Sequence, residues 1–150
     1  MKKINVLLFA SLVSFGSMSS FTPITTYAAE IPAIEAESNA LGGWNEENGY
    51  YRNPQAFSKA MGKLSTYSTP KHTGKAEQQN YNGTTRKRAH GWTTWVGTYH
   101  YTRARMEDGG IVLTDSKRQW GQDGTEAISP WWSFDGNTLG TARTYYGSDS

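Results

Sequence analysis

From Thr98 to Glu107 the side chains alternate without a break. Thr98, His100, Thr102, Ala104 and Met106 fall on one face, and Tyr99, Tyr101, Arg103, Arg105 and Glu107 on the other. A period of two is that of a β-strand. The residue types leave open which face is buried. Small side chains suit packing against a second sheet, while tyrosine rings and arginine stems can cover a surface with their apolar parts. Asp108-Gly109-Gly110 then reads as a hairpin turn, because glycine takes a left-handed backbone at little cost, and Ile111-Val112-Leu113 returns as a strand. Turn signals at Gly121-Gln122-Asp123-Gly124 and Asp135-Gly136-Asn137 bracket short strands at Ala127-Ile128 and Trp131–Phe134, with Pro130 as a break or edge marker. A last strand runs roughly from Thr138 to Tyr146. The pattern predicts an all-β fold, a small antiparallel β-sandwich of about six short strands or a partly open barrel, over residues 82–150.

Residues 30–81 have a different texture, rich in Asn, Gln, Ser, Thr and Ala, and read as a polar N-terminal region, linker or propeptide. Their one helical signal begins at Asn53-Pro54, a cap followed by proline at the first helical position. Phe57, Ala60, Met61 and Leu64 follow at helical spacing. A helix of about ten residues is too short to stand alone, so it packs on the β module or frays. Thr69-Pro70-Lys71-His72-Thr73-Gly74 reads as a linker.

Residues 1–29 read as a secretory signal peptide. Lys2 and Lys3 form its basic start, Ile4 to Phe15 its apolar stretch, and Ala28 and Ala29 offer cleavage sites, of which Ala29 is preferred. The apolar stretch is nearer twelve residues than the ~20 of a membrane span, which favours release over integral insertion. These two lysines account for the formal charge of +2, so the remaining chain is neutral overall. Nucleic acid is an unsuitable partner for a chain without a basic excess. With no cysteine, disulfides, thiolate metal sites and cysteine nucleophiles are excluded. Ten of the twenty aromatic residues lie in 82–150, so the module is expected to be held by aromatic packing, helped by a homodimer.

Catalytic and cofactor motifs are weak. His72, His90 and His100 have no metal-ligand spacing, no nucleophile elbow or phosphate loop occurs, and no cofactor is implied. Ser116, His100 and Asp115 compose a triad on paper only. Glu107, Asp108, Asp115, Asp123, Glu126 and Asp135 offer carboxylates for a hydrolase, though most sit beside turns. The more specific pattern is cationic and aromatic. Arg103 and Arg105 share a strand face with Tyr99 and Tyr101, Lys117-Arg118 precedes Trp120, Arg86-Lys87-Arg88 forms a basic run, and one of Trp131-Trp132 must point outward. Arginine forks bind phosphate and rings offer apolar platforms. Tyr99, Tyr101, Arg103, Arg105, Trp120 and Trp131 are the candidate ligand-binding residues, for an envelope precursor or anionic wall polymer.

Tyr99-His100-Tyr101 leading into Arg103-Ala104-Arg105-Met106, then Ala127, and the ending Ala142-Arg143-Thr144-Tyr145-Tyr146 resemble the lactococcin 972 family of secreted bacteriocins. The resemblance covers roughly Val96 to Tyr146. It implies a β-sandwich of two three-stranded sheets and a non-enzymatic antibacterial of Gram-positive bacteria. Such a protein engages lipid II, disturbs septum formation and forms no pores. Residues 30–81 have no counterpart in that pattern, and Arg103 or Arg105 stands where the family has a histidine. A secreted adhesion module and a small cell-wall hydrolase are the alternative readings.

Overall fold

The structure, a computed structural model, describes residues 37, 39–63 and 68–148. The leader, its cleavage site and Leu64 of the helix pattern lie outside the described residues. Among the described residues strands make up 64% and the single helix is short, so the fold is all-β. Eight antiparallel strands are described, five of them in residues 82–150, where the sequence predicts about six: β1 Gly42–Asn45, β2 Gly49–Arg52, β3 Lys71–Tyr81, β4 Thr84–Asp108, β5 Ile111–Asp115, β6 Gln119–Ile128, β7 Trp132–Ser133 and β8 Thr141–Gly147. Helix α1, Pro54–Lys63, lies between β2 and β3.

β4 is the spine. Along one edge it pairs first with β3 (Thr84 to Thr94) and then with β8 (Tyr101 to Glu107); along the other lie β7, β6 and β5. β1 joins β8 to β2. The expected linker at Thr69–Gly74 is therefore corrected: Lys71 to Gly74 open β3 and pair with Gly91 to Thr94 of β4. Its Gly, Thr and Lys look loop-like alone, but the ladder to β4 supplies hydrogen bonds that local sequence does not reveal. Likewise the boundary near residue 82 falls in the tight turn at Asn82 and Gly83, both with positive φ, which joins two strands of one sheet.

β4 bends at its middle. The register with β6 shifts between Trp95 and Tyr99, where Gly97 has φ of 80°, and β6 answers with Asp123 at φ of 64°. The Gly97 N–H donates to Asp123 Oδ1 at 2.7 Å and ties the two irregularities together. The sequence turn at Gly121–Gly124 is thus a kink inside one strand, not a reversal between two. A bulge of this kind increases local twist and re-aims a strand.

The bend curls the sheet until its halves face each other. Glycines stand where they come closest. A Cβ on Gly74 would stand 2.7 Å from Thr144 Oγ1, and one on Gly91 2.8 Å from Thr144 Cβ. These two glycines are register partners, so together they form the hollow that receives Thr144. Ala89, Ala104, Met106, Ala127 and Ala142 close the adjoining core. Beside them runs a buried polar chain: His72 Nδ1 to Thr93 Oγ1 at 2.9 Å, Thr93 to Thr102 at 2.6 Å, and His72 Nε2 to Thr144 Oγ1 at 2.8 Å. The expected aromatic core is met in part. Of the aromatic residues in 82–150, Trp95, Tyr101, Tyr145 and Tyr146 are buried and Tyr99 and Phe134 are exposed, while the adjoining cluster is built from alanines and Met106.

The helix prediction matches well. Asn53 Oδ1 accepts from the Ala56 N–H at 3.2 Å as an N-cap, and Ala56, Phe57, Ala60 and Met61 pack with Leu41, Trp95 and Tyr146. Among the described residues no helix is long and apolar enough to cross a membrane.

Candidate functional site

The second half of β4 shows how one alternating strand serves two environments. Thr98, His100, Thr102, Ala104 and Met106 point into the core, as one of the two readings has it. Yet the other face is covered as well. Tyr101 is 2% exposed, Arg103 6% and Arg105 1%, whereas Tyr99, nearer the bulge, is 59% exposed.

What covers the arginines is charge. Arg103 donates from Nε to Asp115 Oδ1 at 2.9 Å and from its terminal nitrogens to Asp115 and Glu37. Arg105 lies 3.6 Å from Glu37, 3.7 Å from Asp115 and 3.8 Å from Glu107. Arg118 Nη2 donates to Glu37 at 3.0 Å, and Tyr145 donates its hydroxyl to Glu107 at 2.6 Å. Burial pushes the Asp115 carboxyl up, but Arg103 and the Lys117 N–H outweigh it and hold the group at about 2. For Glu37, burial is again opposed by hydrogen bonds from Arg118 and Arg103, and the carboxyl stays below its ordinary value. The expected role of Arg103 and Arg105 as open phosphate forks is therefore corrected, because carboxylates of this chain already occupy them. The sequence signal was present in Glu37 and Asp115, but nothing local says that they meet β4.

Of the six candidate residues, Tyr99 and Trp120 form an accessible pair. β4 and β6 place Tyr101 opposite Trp120 in register, with Tyr99 two residues away on the same face. The Trp120 ring stacks on Tyr99 with centroids 5.4 Å apart and planes 13° apart, and meets Tyr101 at a tilt, 4.9 Å away. Arg118 sits over the Tyr101 ring at 4.6 Å. The row Tyr99–Trp120–Tyr101–Arg118 leads into an open cleft of about 250 Å³, lined by Leu41, Lys59, Ala60, Tyr101, Arg118 and Ser148 among others.

Trp131 lies elsewhere. The guanidinium groups of Arg88 and Arg86, at the start of β4, lie over its ring at 4.4 Å and 5.1 Å. The basic run is thus no loop. Arg86 and Arg88 point outward onto Trp131, while Lys87 turns inward and donates to Glu46 at 2.9 Å. Next on that outer face, His90 bridges Glu77 (2.9 Å) and Glu126 (2.5 Å), and Trp92 Nε1 also donates to Glu126 at 3.0 Å. Lys75, His90 and Arg88 hold Glu77 down at about 2, and His90 lowers Glu126. Neither carboxyl is poised as the protonated acid that glycoside hydrolysis needs. Among the described residues no group of His, Asp and Glu has the geometry of a metal site.

No family model matches the chain, and no curated protein or solved structure matches it significantly.

Proposed function

We propose that the chain is a secreted bacteriocin-like antibacterial protein. It binds a cell-envelope precursor such as lipid II at the Tyr99–Trp120 platform and disturbs septum or wall synthesis without catalysis. The observation that carries this reading is the stacked pair itself. An aromatic ring left in water on the half-buried Trp120, with Tyr101 leading on to the Arg118 guanidinium and the open cleft, offers one ligand a flat apolar face and a cation farther along the row. The C–H faces of a sugar ring suit such a platform. The leader read over residues 1–29 supports export, and the Val96 to Tyr146 resemblance supports the antibacterial role.

The test is growth inhibition by purified residues 30–150 against Gram-positive bacteria, with microscopy of septa, for the parent and a Tyr99→Ala, Trp120→Ala double variant. Each ring contact is worth about 0.5–1.5 kcal/mol beyond its buried area. Their joint loss is expected to weaken binding to isolated envelope about tenfold or more. Full potency of a folded double variant would remove the platform from the reading. Inhibition of no strain in a broad panel, with binding to envelope kept, would favour the adhesion module.

A further inference from the structure

Glu37 belongs to no strand or helix, yet its side chain is 1% exposed, less than those of Glu107 and Asp115. Three donors and one further guanidinium converge on it. Arg103 donates from Nη1, Arg118 from Nη2 at 3.0 Å and Tyr101 from its hydroxyl at 3.0 Å, with Arg105 Nη2 at 3.6 Å. The donors are placed by the sheet and not by Glu37. Arg103 is braced by Asp115, and the β4–β6 ladder carries Tyr101 and the strand that follows Arg118. The Glu37 backbone, by contrast, is held locally through its carbonyl, which accepts from the Ala40 N–H at 2.8 Å.

This nest has a way in. Tyr101 and Arg118 are also walls of the open cleft, together with Lys59 and Ser148. Arg118 Nε and Ser148 Oγ, both without accessible surface, have no hydrogen-bond partner among the described residues, and such groups call for a reason.

We infer that the Arg103–Arg118–Tyr101 nest is a binding site for a compact oxyanion, phosphate or carboxylate, in which Glu37 is the built-in occupant. An anion entering through the cleft meets Arg118 first and competes with Glu37 for its Nη2 and then for Arg103. Planar guanidinium forks accept either oxyanion with two parallel bonds, so the exchange keeps the donors satisfied. Apparent affinity is lowered by the fraction of molecules in which Glu37 holds the site, and removing the occupant removes that reduction. The inference does not rest on what the Tyr99–Trp120 platform binds.

The experiment titrates the full chain with inorganic phosphate at constant ionic strength, for the parent, Glu37→Gln and Glu37→Ala. Calorimetry and the fluorescence of Trp120, which stacks beside the nest, give the readouts, with Trp120→Phe as the spectral control. Phosphate is expected to bind Glu37→Ala at least tenfold more tightly than the parent, and adding Arg118→Ala is expected to abolish the gain. Equal affinity in the parent and in folded Glu37 variants would overturn the inference. So would a gain that survives Arg118→Ala, which would place the anion elsewhere, on Lys59 for example. If neither Glu37 variant folds, as judged by circular dichroism, the carboxylate is a structural brace and the inference falls.

Discussion

His72 gives the sharpest prediction, because its environment lets a pH profile be worked out in advance. The ring is buried between the halves of the curled sheet, with both nitrogens on hydroxyls, Thr93 and Thr144, and with Tyr146 stacked 4.9 Å away. None of these partners is an anion that would favour the charged form. Burial pushes the imidazole down to about 3, so the folded protein keeps it neutral where an unfolded chain, near 6.5, takes up a proton. The sign follows directly. The unfolded state binds more protons, so the stability associated with His72 is fully present above about pH 6.5 and is lost as the pH falls toward 3. At about 1.4 kcal/mol per pH unit, the loss by pH 5 is about 2 kcal/mol. Glu77 and Asp115, held at about 2, change their contribution only nearer the ordinary carboxylate range, which leaves the interval from pH 7 to 5 clear of them. Urea unfolding of the parent and His72→Gln at pH 8, 7, 6 and 5 isolates the effect, since His90 and His100 are common to both. The difference between the two is expected to shrink by about 2 kcal/mol across that range. Parallel profiles, or a His72 proton resonance titrating near pH 6.5 in the folded protein, would refute the reasoning.

Two further outcomes test the fold. Gly91→Ala places a methyl 2.8 Å from Thr144 Cβ and is expected to cost about 1–3 kcal/mol in denaturant unfolding. Gly62→Ala in α1, with open space around it, serves as the control and is expected to stabilise by about 0.5–1 kcal/mol; equal effects would dismiss the close approach. A chain of residues 82–150 alone loses β3 from one edge of β4 and β1 from β8, and is expected to show no cooperative unfolding transition. A sharp two-state transition in that fragment would show that the upstream strands are dispensable.

Local chemistry made part of this structure legible. The Asn53-Pro54 start announced α1 because capping and a fixed proline φ act within one turn. The Asp108-Gly109-Gly110 hairpin was equally readable, both glycines having positive φ. The alternation from Thr98 to Glu107 identified the strand but not the fate of its faces. A period of two says which residues point together and is silent on what they meet. Tyr99 and Trp120 were readable as candidates, whereas their stacking depends on the register of β4 with β6.

Where the reading erred, a distant partner intervened. Residues 69–74 resemble a linker until β4 offers them a ladder, and Gly121–Gly124 resembles a turn until the bulge at Trp95–Tyr99 draws it into a kink. Arg103 and Arg105 have the composition of a ligand surface, but Glu37 and Asp115 reach them first. The sequence by itself determined the all-β class, the capped helix and the absence of disulfides, since each follows from residue type and short-range spacing. Only the tertiary structure decided that β3 belongs to the sheet, that glycine and threonine take the closest approach between its halves, and which cations remain available. Those outcomes depend on contacts between residues far apart in the chain, and the curl of a single long strand brings them together.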